Sequence, residues 1–358
     1  MNKKVVILGG YGSFGSLISD RLVNSGAEVI VAGRNDRQGR AFAKTIRARF
    51  VRCDTSDEVS LRETVTGAYL VVNATGPYPA GDYSIPRICI EEKCNYIDLA
   101  DGREYVKNFH TLDRLAKENS VFACSGASTT PAITSILMDE LLKEIGKARE
   151  IKIAMSPGTK NPAGVATFES ILSYVGKPIK IWKEGTWEER RGWGDAEMVH
   201  FPQPIGRRRV QLCDIPDLDI FPQHYKANTV IFKAGVELTI LNIALEFLGR
   251  MRGLFPRMDL PKLTRLLIFG SNFFRPFGTS AGGLQIWVTD SLGGQKSMAV
   301  VAPHNGPRIP SSPAALMAKK LLKGEIPAYG AFLCMGYINL NELTEYLSPF
   351  GITIQKVK

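Results

Sequence analysis

The residues Gly9-Gly10-Tyr11-Gly12-Ser13-Phe14-Gly15 lie between an apolar run, Val5-Val6-Ile7-Leu8, and a helical pattern that ends at Gly26. An apolar run of that length is a buried strand. A glycine-rich turn delivering it straight into a helix is the opening unit of a parallel α/β sheet. Within that context the spacing Gly10-x-Gly12-x-x-Gly15 is a dinucleotide-binding fingerprint. Gly10 is expected to permit the turn, Gly12 to leave room for a pyrophosphate, and Gly15 to let the helix pack closely on the strand. Tyr11, Ser13 and Phe14 complete the loop. The helix start after it offers unpaired N–H groups and a positive dipole end to the phosphates.

The second strand, expected at 28–32, ends in Gly33-Arg34-Asn35. A site for NAD places a carboxylate about 20 residues past the glycines, on the ribose 2′-hydroxyl. Arg34 stands there instead, with Asn35 beside it and Arg37 and Arg40 close behind. A guanidinium grips a 2′-phosphate bidentately and stacks on adenine, so the expected cofactor is NADP.

With 358 residues, 44% of them hydrophobic, the chain is long enough for two domains. Its net charge of +10 is scattered, and no nucleic-acid motif accompanies it, so a polyanionic cofactor and a small acidic substrate account for the balance. Six cysteines form no CxxC pair, and the four histidines show no HxxxH spacing; a reducing, cytoplasmic compartment and no metal are expected. The apolar start is too short for a signal peptide, and Val236–Leu248 is too short to span a bilayer.

Residues 1–126 alternate strongly. Strands are expected at 4–8, 28–32, 49–53, 69–73, 95–99 and 121–125, with helices at 13–25, 37–46, 57–66, 84–93 and 104–118. That is a Rossmann, doubly wound parallel sheet. Beyond it, helices expected at 131–145, 164–175, 236–250 and 259–268 are mixed with alternating strand-like runs. Pro157, Pro162, Pro178 and Pro202 punctuate them, giving a mixed α+β second domain. The division is placed at 1–128, 129–312 and a C-terminal segment 313–358 that completes the fold. That segment contains a helix opening at Pro313 and another over 340–348.

Ligands in such sheets sit beyond the carboxyl ends of the strands. After the third strand, Asp54 is placed to accept from the adenine amino group, while Asp57 caps the next helix. After the fourth come Ala74-Thr75-Gly76, small enough to lie against the nicotinamide ribose, then Pro77 and Tyr78, a proton donor or a packing ring. After the fifth come Asp98 and Asp101, either acid–base groups or caps of helix 104–118. After the sixth come Ser128-Thr129-Thr130, hydroxyls before a Pro-started helix that suit a substrate carboxylate. Trp182, Trp187 and Trp193 fit the core of an aromatic hairpin.

The segments VVILGGYGSFG, AGRN, NATGPY, YIDLADG and SGASTTPAI occur in the order seen in the saccharopine dehydrogenase-like NADP-binding proteins, which this chain resembles along its length. The resemblance implies hydride transfer with NADP(H) and a substrate domain that also makes a homodimer. At SGASTTPAI the chain departs from saccharopine-handling members, which carry a Pro-Gly pair there, so saccharopine is not the expected substrate. The resulting expectation is an NADP-dependent oxidoreductase acting on a C=N or C–N bond of a small amino-acid-like molecule. An enoyl (C=C) reductase is the alternative within the family. A nucleotide-sensing or membrane-associated binding protein is the alternative outside it. For the latter, Arg250–Arg275 holds six cations against Asp259 among apolar residues. A helical core with solvated arginines is the plainer expectation for that stretch.

Overall fold

In the computed structural model the described residues are 3–161, 164–255 and 257–357; Pro162, a punctuation point in the sequence, lies outside them. The chain divides into two units, Met1–Ile133 with Pro310–Leu343, and Thr134–Ile309 with Thr344–Lys358.

The first unit alternates strand and helix: β1 (Val5–Leu8), α1 (Gly15–Asn24), β2 (Val29–Gly33), α2 (Asp36–Thr45), β3 (Arg49–Arg52), α3 (Glu58–Val65), β4 (Leu70–Asn73), α4 (Ser84–Glu91), β5 (Asn95–Asp98), α5 (Arg103–Lys107), α6 (Asp113–Glu118) and β6 (Phe122–Ser125). The apolar quartets β1 and β4 are wholly buried, as strands covered on both faces must be. Asn35 caps α2 by accepting from the Gln38 N–H at 3.0 Å, and Asp57 caps α3 through the Val59 N–H. The single helix expected over 104–118 is instead α5, a 3₁₀ turn at Phe109–Leu112, and α6. Asn108 and Thr111 break it, because their side chains donate to the carbonyls of Glu104 and Asn108.

The second unit begins with α7 (Thr134–Ile145), β7 (Glu150–Ser156), α8 (Val165–Tyr174), β8 (Pro178–Lys183), β9 (Thr186–Arg191), β10 (Glu197–Phe201) and β11 (Gly206–Leu212). It continues through α9 (Asp217–His224), β12 (Thr229–Ala234), α10 (Thr239–Leu254), α11 (Thr264–Phe273), β13 (Gly282–Thr289) and β14 (Gln295–Ala302). The chain closes with α12 (Arg308–Lys323), β15 (Gly330–Leu333), α13 (Leu340–Leu347) and β16 (Thr353–Val357). Helix α12 starts before Pro313, which therefore sits inside it and forgoes a backbone bond. The C-terminal segment serves both units. β15 joins the first sheet beside β6, and β16 joins the second beside β14.

The first sheet is parallel, in the order β15-β6-β5-β4-β1-β2-β3, the doubly wound order extended by one edge strand. The second is mixed, ordered β10-β11-β12-β7-β13-β14-β16, with the β8–β9 hairpin attached to β12. That hairpin turns through Glu184 and Gly185, both at positive φ, as a two-residue hairpin loop requires. Trp182 faces Trp187 across it with ring centroids 5.0 Å apart, while Trp193 is buried.

Candidate active site

Parallel register decides which loops meet. Leu8 pairs with Asn73 and Asn73 with Asp98, so β1, β4 and β5 end in one row and release their loops together.

In the first loop the left-handed residue is Gly9, at φ +71°, and not Gly10. Gly10 is required by crowding: a Cβ there would lie 2.8 Å from the Ile7 carbonyl and 3.1 Å from Ser19 Oγ. At Gly15 a Cβ would be 2.2 Å from the Gly9 carbonyl, so strand and helix can approach this closely only without one. Gly12 differs. A Cβ there would meet the Gly9 carbonyl at 3.1 Å and nothing else within 4 Å, so its outer side is open. Phe14 precedes α1 without a capping bond, and the helix has no acid in its first turn. Among the described residues the backbone N–H groups of Ser13, Phe14 and Gly15 find no acceptor. Unpaired donors at a helix start, beside an open glycine, fit a pyrophosphate.

At the far end of the groove Tyr11 lies over Gly33, where a Cβ would be 2.5 Å from its ring, and its hydroxyl accepts from the Asn35 N–H at 2.8 Å. Asn35, expected to touch the cofactor, thus uses its backbone N–H and side-chain oxygen to hold the turn and cap α2. Arg40 is likewise committed, to Asp36 at 2.7 Å. Arg34 and Arg37 are exposed and make no ion pair among the described residues. Arg52 joins them: it pairs in register with Gly33 and its charge acts on Asp36 and Asp54. The sequence hides it, since only the parallel register brings the end of β3 beside that of β2. Asp54 accepts at one oxygen from both the N–H and hydroxyl of Ser56, which hold its carboxyl below the usual range and keep it ionised.

The loop after β4 is built on buried Asn73. Its side-chain oxygen accepts from the Thr75 hydroxyl at 2.6 Å and the Thr75 N–H at 3.1 Å, and its amide donates to Tyr96 Oη. Ala74 and Thr75 press on Gly9, where a Cβ would be 2.9 Å from the Ala74 carbonyl. Gly76 leads to Tyr78, whose hydroxyl turns inward and donates to the Asn73 carbonyl at 2.8 Å. Burial, with the Asp98 charge adding to it, pushes that hydroxyl well above its usual titration range. Tyr78 in this pose is a packing ring against Tyr105, not a ready proton donor.

Neither carboxylate after β5 caps the next helix; Gly102 holds that position without a side-chain bond. Asp98 is fully buried, and one oxygen accepts from the Ala100 N–H, the Ser125 hydroxyl and the Gly126 N–H at 2.8–3.1 Å. Its second oxygen has no well-formed partner, the Tyr105 hydroxyl being its polar neighbour, and burial raises its pKa to about 6. Tyr105 carried no mark in the sequence beyond a helical position. Asp101 is half-buried, makes no side-chain hydrogen bond or ion pair among the described residues, and is raised to about 6 by desolvation. The next residue, Gly102, sits where a Cβ would be 2.7 Å from the Tyr78 carbonyl, so Asp101 borders the loop after β4.

Ser128, Thr129 and Thr130 are buried and lead into the helix start at Pro131. Thr130 is extended, and the residues after it, from Pro131 on, are helical and run without a break into α7, so the helix opens at Pro131 as expected. Pro131 follows an extended residue, which is the conformation a proline imposes on its predecessor.

Comparison with known proteins agrees with this geometry. The family described as saccharopine dehydrogenase NADP binding domain matches residues 5–124. A lipid droplet localized protein of Caenorhabditis elegans is 28% identical over 144 residues, 36% of this chain and 34% of that protein. A probable mitochondrial saccharopine dehydrogenase-like oxidoreductase of Arabidopsis thaliana is 26% identical over 137 residues, 36% of this chain and 30% of that one. These matches thus span about a third of the length of those relatives. Among solved structures, the apo histidine-tagged saccharopine dehydrogenase (L-Glu forming) from Saccharomyces cerevisiae superposes with a TM-score of 0.68, covering 99% of this chain and 100% of that one at 14% identity. Residues 5–124 thus match an NADP-binding domain of the saccharopine dehydrogenase type, and the chain as a whole shares its fold with that solved saccharopine dehydrogenase.

Proposed function

We propose that this protein is an NADP-dependent oxidoreductase that moves hydride to or from a C=N or C–N bond of a small amino-acid-like substrate, with Asp101 handling the proton. The observation that carries this reading is Asp101 itself: a carboxyl with no partner in another residue among the described residues, raised to about 6 by desolvation, beside the loop after β4. When bound, NADPH supplies a hydride at the nicotinamide C4. The chain's residues do the rest. Ser13, Phe14 and Gly15 offer N–H groups to the pyrophosphate, and Arg34, with Arg37 and Arg52, takes the 2′-phosphate. Asp54 accepts from the adenine amino group at its second oxygen, and Ala74, Thr75 and Gly76 border the nicotinamide ribose. Asp98 fixes the loops after β5 and β6 and so positions Asp101. Ser128, Thr129 and Thr130 supply hydroxyls for a substrate carboxylate. A carboxyl titrating near 6 exchanges a proton readily near neutral pH.

An enoyl reductase is the second reading, since a carboxyl beside the substrate can also supply the proton that C=C reduction needs. The cysteines, all buried free thiols, suit a cytoplasmic protein, and a homodimer is the assembly we expect. The test is a screen for NADPH oxidation with keto acid–amine pairs and with enoyl thioesters, followed by two variants. Asp101→Asn should bind NADPH normally yet turn over about 10²–10⁴-fold more slowly. Asp98→Asn should lower the melting temperature, because a buried amide NH₂ replaces an acceptor of three bonds. If Asp101→Asn loses no more than a few-fold in rate, the proton passes through another group.

A further inference from the structure

Helix α10 is turned inside out relative to an ordinary surface helix. At 100° per residue, Asn242, Glu246, Gly249 and Arg252 share one side, and that polar side faces the protein. Asn242 is buried and exchanges bonds with the Val236 backbone, and Glu246 pairs with Arg209 at 2.7 Å. Gly249 lies against Gly176, and Arg252 donates to the Leu172 and Val175 carbonyls that end α8. The opposite side carries Ile240, Ile243, Phe247 and Leu254, within about 60° of one another, and Phe247 and Leu254 are 60% and 72% exposed. Helix α11 repeats the pattern with Leu266, Phe269 and Phe273, the two phenylalanines 80% and 74% exposed. Ten of the sixteen exposed large apolar side chains among the described residues fall between 240 and 277. The plainer sequence expectation, an apolar core under solvated arginines, is therefore reversed.

We propose that the outward faces of α10 and α11 dock on an anionic lipid surface. A run of apolar side chains this exposed marks a binding face, and the charges beside it choose the occupant. From Arg250 to Arg275 there are six cations and one acid, and five of the cations remain outside once the inward Arg252 is set aside. The single acid, Asp259, is already paired with Lys262, and Arg250 is paired with Glu246. Arg257 and Arg265 are exposed with no ion pair among the described residues. A second copy placed symmetrically on this face would bring the same excess cations together, whereas anionic headgroups neutralise them while the phenylalanines enter the acyl boundary. The mode is surface docking. No helix among the described residues is long and apolar enough to cross a membrane.

The test is co-flotation of the full chain with phosphatidylcholine vesicles, with and without phosphatidylserine. Three proteins are compared: the unaltered chain, Phe247→Glu with Phe269→Glu, and Arg257→Glu with Arg265→Glu. An unchanged thermal melt and far-ultraviolet circular dichroism spectrum verify that each variant is folded in both units. The unaltered chain should float with phosphatidylserine vesicles. Each double variant should lose at least about tenfold in partitioning, the arginine variant chiefly on anionic vesicles. Failure of the unaltered chain to float overturns the proposal. So does a folded phenylalanine variant that floats equally well, or a dimer that dissociates in that variant while the unaltered chain ignores vesicles.

Discussion

Gly12 has a neighbour on one side only, and that asymmetry separates it from the other glycines of its loop. Gly9, Gly10 and Gly15 are each enclosed by backbone, so side chains there would break the fold. A side chain at Gly12 would instead project into the space the pyrophosphate needs. Gly12→Val should therefore melt within a few degrees of the unaltered protein and show no measurable NADPH binding by calorimetric titration. An unchanged dissociation constant in the folded variant would remove Gly12 from the phosphate site. At this scale the sequence was informative where a role follows from local spacing, as for the crowded glycines and the Asp57 cap. It was silent where a role depends on what packs against a residue. Nothing in the spacing of Asp98 and Asp101 says that the first is buried under three donors and the second left unbonded. Arg52 was invisible for the same reason.

Among elements, six of the seven strands of the first sheet were legible as short runs between helices. Five are largely apolar and buried, while the edge strand β3, RFVR, is exposed at both ends. The missed elements lack that mark. β9 is largely polar, β15 is four residues at a sheet edge, and α9 follows a proline-rich stretch. Helix α10 was placed nearly correctly, but the side it buries was not legible, since periodicity locates a stripe but not the partner it faces. α9 also carries a testable electrostatic load. Asp217 in its first turn is fully buried, neither carboxyl oxygen has a well-formed partner, and desolvation raises its pKa to about 7. A folded-state pKa above the unfolded value favours the protonated form. The associated stability is therefore complete below about pH 4 and is lost as pH rises through about 7. Asp217→Asn, which stays neutral, should raise the melting temperature most at pH 8, less at pH 5, and little at about pH 4 or below. A variant less stable at pH 8 than at pH 5, relative to the unaltered chain, would show that the carboxylate is satisfied.

For the whole molecule, the proposed function places an NADP site at the row of strand ends in the first unit, selecting the 2′-phosphate through cations at the ends of β2 and β3. Substrate, reaction direction and surface docking depend on other residues and stand or fall separately. The direct measurement is a titration of NADPH and NADH into the unaltered chain and into Arg34→Ala, followed by nicotinamide fluorescence. Charge-assisted bonds to a phosphate contribute about 1.5–3 kcal/mol, so Arg34→Ala should weaken NADPH roughly ten- to a hundredfold. NADH, which lacks the phosphate, should shift far less, and the unaltered chain should prefer NADPH clearly. NADH binding as tightly as NADPH to the unaltered protein, or Arg34→Ala leaving NADPH affinity untouched, would contradict the claim.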